Sequence, residues 1–398
     1  MRFWLPLAVV IVMAGHPRAA AAQSWPSGPI IVELGRAGRL VVGGEASASA
    51  GERDTTAFFN YTGYEHDVMR MVRLALSARW QPHARVALLT DIRSENFDTP
   101  RAYALYVRVA PFARVPLDLQ AGRIPPVFGR FARNAYAAEN PLIGYPLAYQ
   151  YLTSLRPDAI PAASEDLLRM RGRGWLASYP IGTSVPAPGV PIVSALTYDT
   201  GVQARYAPGV FDLAASLTTG TLSNPGTRDG NGGRQLAMRL GATPIAGLVA
   251  GVSAAHGAWL DDDVRPAGDA DVYAQNAVGL DAEYSRGHWL VRGEVIESRW
   301  RMPYLDAPLR ARASHVEGRL RVHPRWFVAG RVDRLTFSRV VGDNQAQTWD
   351  APVTRVEGGA GWYLRRNLVA KASLQHNWRD GGRVRQRTFL AGQVLFWF

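Results

Sequence analysis

The sequence predicts an all-β fold: a transmembrane antiparallel up-and-down β-barrel of about sixteen strands, with boundaries that allow about fourteen to eighteen. Three features of the chain lead there. Apolar and polar residues alternate with a period of two in one segment after another, from Val68 to the C-terminus, with a single long interruption. After a short N-terminal leader, no stretch reaches the roughly 18 consecutive apolar residues that a membrane helix needs. The chain ends RQRTFLAGQVLFWF, on Phe-Trp-Phe with no polar tail. A sheet with one face in lipid must close on itself, because an open edge would leave backbone N–H and C=O groups without partners.

The leader is residues 1–22. Arg2 is followed by an apolar run from Phe3 to Ala14 and by small residues, Ala19 to Ala22, before Gln23. That is the layout of a secretory signal peptide, with cleavage placed after Ala22. The 39 Gly, 15 Tyr, 13 Phe and 12 Trp suit many strands joined by tight turns. There is no cysteine, so disulfides, thiolate metal sites and thiol catalysis are excluded. The formal charge is +12, nearly all of it from arginine, and Lys371 is the single lysine. In a barrel this charge belongs in the lumen, loops and rims, since Arg at the lipid midplane costs about 2–4 kcal/mol. Nucleic acid is not an expected partner: the charge is spread over the whole length of an exported chain.

The first strand is read at Gly35 to Ala48, followed by a polar loop through Asp67. Val68 to Trp80 and Ala84 to Arg93 then form a hairpin. Val72, Leu74, Leu76 and Ala78 take one face, and Arg73, Ala75, Ser77 and Arg79 the other. The return strand sets Val86, Leu88, Thr90 and Ile92 against Arg85, Ala87, Leu89, Asp91 and Arg93. Tyr103 to Val109 and Val115 to Gln120 repeat the pattern, with Arg108 inward. Beyond the interruption, strands are read near Thr197–Tyr206, Val210–Thr219, Arg234–Ala242, Leu248–His256, Gln275–Ser285 and His288–Arg299. Arg312–Val322, Arg325–Phe337, Val353–Leu364, Leu368–Trp378 and the terminal strand complete the set.

Short turns such as Pro208-Gly209, Arg286-Gly287 and His323-Pro324 alternate with longer loops rich in Gly, Asp and Asn. Barrels of the outer membrane keep short turns on the periplasmic side and long loops outside. Trp80, Tyr206, Tyr284, Trp289, Trp326, Trp362 and Trp378 fall near strand ends, where interfacial girdles need aromatics.

The interruption, residues 124–196, carries Phe128, Phe131, Tyr136, Leu142, Tyr145 and Tyr149, too many large apolar groups for a disordered segment. It should pack against something. Ser164 to Met170 reads as one or two helical turns with Ser164 as N-cap.

A terminal aromatic preceded by alternating apolar residues, here Phe398, Phe396 and Val394, resembles the closing strand of bacterial outer-membrane β-barrels. The resemblance implies an outer-membrane location and an assembly signal read by the barrel-assembly machinery. A long segment after the fifth strand resembles the general bacterial porins, in which that loop folds into the barrel and narrows the pore. It implies that residues 23–398 form a single barrel domain, with 124–196 as a constriction or plug loop. It also implies passive diffusion of small hydrophilic solutes, contact with outer-membrane lipid and lipopolysaccharide, and assembly as a homotrimer. The alternative is a barrel plugged by the insert and acting as a receptor, adhesin or structural partner.

Arg73, Arg79, Arg85, Arg93, Arg108, Arg239, Arg292, Arg319, Arg321, Arg355 and Lys371 are assigned to inward faces, and Arg130 and Arg133 to the insert. Inward acids include Asp91, Asp118, Asp212, Asp281, Glu283, Glu294, Glu317 and Glu357. Cations outnumber them, and rings of Arg favour anions, so an anion-preferring pore is expected. Pairing across strands is the competing use of these charges, and selectivity falls to those left unpaired. No catalytic residue, metal or cofactor is expected. His256 near Asp261 is the nearest approach to a catalytic pair, and Ser314 and His315 point to opposite faces. Asp261-Asp262-Asp263, with Asp269 and Asp271, lacks the spacing of a calcium-binding loop and reads as a solvated acidic loop.

Overall fold

The computed structural model describes residues 28–62, 66–131, 136–194, 198–226, 230–266, 273–343 and 345–398. The leader at 1–22, Arg133, Asp269 and Asp271 lie outside the described residues. Sixteen strands make up a closed antiparallel wall, each paired with its neighbours in the chain. The first five are β1 (Arg39–Gly51), β2 (Val72–His83), β3 (Val86–Glu95), β4 (Arg101–Val109) and β5 (Leu117–Ile124). Then follow β6 (Asp199–Tyr206), β7 (Phe211–Thr218), β8 (Gln235–Ile245), β9 (Leu248–Ala258), β10 (Ala274–Arg286) and β11 (Trp289–Trp300). The wall ends with β12 (Leu309–His323), β13 (Trp326–Phe337), β14 (Val353–Arg365), β15 (Leu368–Arg379) and β16 (Gln386–Trp397).

β16 closes on β1 with Trp397 opposite Glu45 and Ala391 opposite Gly51. Phe398 finishes the seam: its N–H donates to the Gly44 carbonyl at 3.0 Å and its own carbonyl accepts from the Gly44 N–H at 3.1 Å. A Cβ at position 44 would stand 2.6 Å from the Phe398 ring, so glycine lets the terminal aromatic lie against β1 without a shift of its ring. A short strand, Ile30–Glu33, pairs with the first residues of β1 in line with β16.

Alternation sorts the side chains as the sequence predicts. On β16, Leu390 and Val394 are exposed on the outer face, while Phe389, Ala391 and Leu395 are buried inside. Leu217, Leu240, Leu280, Val316, Val332 and Leu374 continue the outer apolar surface. Trp80, Tyr206, Tyr284, Trp289, Trp326 and Trp362 are exposed at the short-turn end, with Trp326 and Trp362 stacked at 5.3 Å.

Two strand starts lie four residues later than in the sequence reading. Gly35–Ala37 is a 3-10 turn, with Gly35 at φ 60° and Gly38 at φ 87°, so β1 begins at Arg39. Val68–Arg70 is another, capped by the Asp67 carboxylate accepting from Met69 N–H at 3.0 Å, so β2 begins at Val72. Local capping outweighed the alternation of Val68 and Arg70.

Candidate functional site

β5 pairs directly with β6, Ile124 opposite Asp199, so the wall continues while residues 125–198 leave it at the long-loop end. Phe128, Phe131, Leu142, Tyr145, Leu147 and Tyr149 of this insert are 1–4% exposed. They reach that burial by lying inside the barrel. Leu147–Gln150 is a single helical turn, α1, that contacts β12 and β13.

A backbone without secondary structure must find partners for its N–H and C=O groups, and here the inward side chains of the wall provide them. Glu45 accepts from the N–H groups of Ala137 and Ala138 at 3.0 and 2.9 Å. Glu357 accepts from Gly144 at 2.9 Å and Asp333 from Leu147 at 3.2 Å. Lys371 donates to the carbonyls of Ala137 and Asn140, both at 2.6 Å, and Arg355 to that of Tyr145 at 2.9 Å. Glu294 accepts from Arg130 N–H at 3.1 Å and from the Tyr149 hydroxyl at 2.5 Å. Gly144 fits because a Cβ there would stand 2.6 Å from both Glu357 and Gln375.

Behind these contacts sits a chain of ion pairs. Arg331 donates to Asp333 and Glu317, both at 3.1 Å, and to Glu357 at 2.6 Å; Arg292 donates to Glu317 at 2.6 Å. Arg331 and Glu357 are 0% exposed at the side chain. Arg331 was absent from the inward cations assigned above, although the alternation Phe327, Ala329, Arg331, Asp333 against Val328, Gly330, Val332 on β13 would have placed it.

The second half of the insert closes over the barrel at the long-loop end. α2 is Ser164–Arg169; its N-cap is Ala163 rather than Ser164, and the Asp166 carboxylate accepts from Ala162 and Ala163. Asp350, between β13 and β14, accepts from Ser154 and Gly172 N–H at 2.8 Å each, and burial raises its pKa. Trp259, Trp300 and Trp349 are buried in the same cluster, Trp300 and Trp349 edge to face at 6.1 Å. The insert thus has two parts, one inside the lumen and one outside it.

The predicted cations have different fates. Arg73 pairs with Glu95 at 2.6 Å and bonds the Tyr145 hydroxyl; Arg239 pairs with Asp281 at 2.5 Å. Arg93 pairs with Asp91 at 2.8 Å and lies 4.7 and 4.5 Å from the ring centres of Tyr103 and Tyr136. Arg108 pairs with Asp118 and Arg130 with Glu283, both partly exposed, as is the pair Arg205–Asp212. Arg79 bonds Gln81, Arg319 lies over Phe327, and Arg85 and Arg321 are exposed at the short-turn end. His256 faces outward and shares a hydrogen bond with Asn276; Ser314 faces outward while buried His315 sits edge-on to Phe131.

A cavity of about 650 Å³ lies toward the short-turn end. Gly28, Arg79, Arg366 and Trp397 are among its lining residues, with Asp91, Tyr136 and Tyr198 on its inner side. Tyr136 donates to Asp91, and burial raises the pKa of its phenol, keeping it a donor.

No protein-family profile and no curated protein matches this chain. Solved structures do. It is similar to outer-membrane expressed OmpT of Vibrio cholerae, 11% identical, TM-score 0.58, covering 93% of this chain and 100% of that one. A trimer form of that protein matches at TM-score 0.52. Salmonella typhi OmpF matches at TM-score 0.54 and 9% identity, covering 93% of this chain and 100% of that one. An anion-selective porin from Comamonas acidovorans matches at 0.53 and 12%, covering 90% and 99%. Identities this low speak to the fold. A closed wall with an apolar outer belt belongs in a bilayer, and it is the wall these proteins share: the chain has a porin-like β-barrel fold.

Proposed function

We propose that the chain is a passive diffusion channel for small hydrophilic solutes, with residues 124–196 as its constriction and a preference for anions. One observation carries the reading. The lumen has a wet wall: Arg108–Asp118, Arg205–Asp212 and Arg130–Glu283 keep 18–40% of their side chains exposed. The adjoining cavity is lined by Arg79 and Arg366, and its one acid, Asp91, is already neutralised by Arg93. A positive field in a narrow aqueous space enriches anions. No enzymatic step is part of this reading.

Planar-bilayer recordings test it. Small anion-selective steps are expected from the intact protein, and steps several-fold larger after deletion of Pro125 to Pro191. The second reading, a plugged receptor or structural barrel, is favoured by the burial of Arg331 and Glu357 beneath the insert. It predicts silence from the intact chain and conductance only after the deletion. Silence from both would sink the channel. Trimer formation belongs to the same proposal, and Ala121, Ala204 and Ala215 on the outer face of β5–β7 leave a groove of about 540 Å³ for a neighbour. A heat-labile oligomer band in mild detergent is the expected sign. Phe398 is proposed as the assembly signal, so its deletion should lower membrane yield more than the conductance of molecules that fold.

A further inference from the structure

Two neighbouring inward rows of β1–β4 differ in bulk. Gly43, Ser77, Asp91 and Ala104 lie opposite one another in register, and the next inward row toward the short turns is Val41, Arg79, Leu89 and Tyr106. Small residues in the first row let the wall stand back from the insert, and the cavity of about 650 Å³ fills the space they leave. Sites for small molecules span roughly 300–1,000 Å³, so this one is large enough to hold a ligand rather than only water.

The inner end of the cavity is fixed in place. Arg93, with 2% of its side chain exposed, pairs with Asp91 and lies 4.5 Å from the ring centre of Tyr136 and 6.0 Å from that of Tyr198. Both rings line the cavity and Arg93 does not, so a buried guanidinium backs the two aromatics. Trp397 is held as firmly: its N–H donates to the Asn367 carbonyl at 3.1 Å, and its carbonyl accepts from Asn367 Nδ2 at 2.7 Å. Walls that need no ordering when a ligand arrives favour binding.

The charges sit nearer the mouth. Arg79 donates to the neutral amide of Gln81 at 2.9 Å, and Arg366 belongs to the turn between β14 and β15. Among the described residues neither guanidinium has a carboxylate side chain as partner. A small inorganic anion would use these cations and leave the aromatic wall idle. A carboxylate carried on a ring uses both, because guanidinium matches carboxylate oxygens two at a time and aromatic rings pack edge to face or offset against one another. We propose that this cavity is a binding site for small aromatic carboxylates entering from the short-turn end, with the ring among Tyr106, Tyr136, Tyr198 and Trp397 and the carboxylate toward Arg79 and Arg366. The site rests on the reading that anions enter this cavity and gives that reading a class of solute.

The test uses the folded barrel in a non-ionic detergent and measures binding of benzoate by isothermal titration calorimetry, with benzamide as the ring alone and acetate as the charge alone. Benzoate should bind about tenfold or more tightly than either, as expected when charge-assisted bonds add to ring packing. R79Q/R366Q should remove the advantage of benzoate over benzamide, and Tyr106→Ala should weaken both. R286Q, at an exposed arginine of the same end outside the cavity, should bind benzoate like the wild type. Heat-modifiable mobility reports that each variant has folded, and the comparison of the three ligands on the wild type stands without any variant. Benzoate binding no tighter than benzamide or acetate, or unchanged in folded R79Q/R366Q, overturns the site. Because no membrane is involved, a silent barrel that binds benzoate sinks the channel alone, and a conducting barrel that does not bind it sinks this site alone.

Discussion

Two stretches of the lumen wall, β4–β7 and β11–β15, use the same residue types at the same alternation and end in opposite states. On β4–β7 the arginines meet carboxylates within reach of water; on β11–β15 they are sealed. The difference is the insert. Where its backbone lies across the wall, inward acids accept from peptide N–H groups as well as from guanidiniums, and the whole assembly goes dry. An ion pair that water reaches is worth about 0–1 kcal/mol, whereas removing one partner of a buried pair costs about 3–5 kcal/mol. The charge pattern alone therefore says little about which arginines brace the barrel and which face solute.

Substitutions on the two walls should separate these roles. Glu357→Ala removes an acceptor shared by Arg331, Gly144 and Gln375. It should cost about 3–5 kcal/mol, read as a lower temperature for loss of the heat-modifiable band, and should expose the insert to protease. A loss as small as that of a surface pair would break the contrast. Asp212→Ala, on the wet wall, should cost no more than about 1 kcal/mol and shift reversal potentials toward anions. The smallest effect is expected outside the wall altogether, at Asp67, whose pKa burial raises to about 6. An acid whose pKa is higher folded than unfolded binds an extra proton in the folded state between the two values, so stability is greatest at low pH and falls as pH rises through about 6. Thermal unfolding measured across that range should show the small loss, and Asp67→Asn should flatten the dependence.

Most of the wall was legible because alternation is local: each of β8–β16 needs only its own residues to declare which face meets lipid. The seam was legible for the same reason, since Phe396 and Val394 mark the outer face of β16 up to Phe398. The interior was not. Glu45 and Asp333 acquire their roles from insert residues 92 and 186 positions away, and no spacing within a strand encodes that meeting. Arg355 and Lys371 look like pore-lining cations in the sequence, and they prove to be donors to carbonyls of Tyr145, Ala137 and Asn140.

The turn at 137–140 touches Glu45 on β1 and Lys371 on β15, the two strands that flank β16. In terms of chain entropy this matters for how the barrel comes to be closed. Bringing β16 to β1 joins segments nearly the whole chain apart, the kind of distant pairing that slows folding most. An insert docked on either flank carries the other toward it and shortens the span that closure must fix. The element docked inside the barrel thus touches both of the strands between which the last strand lies.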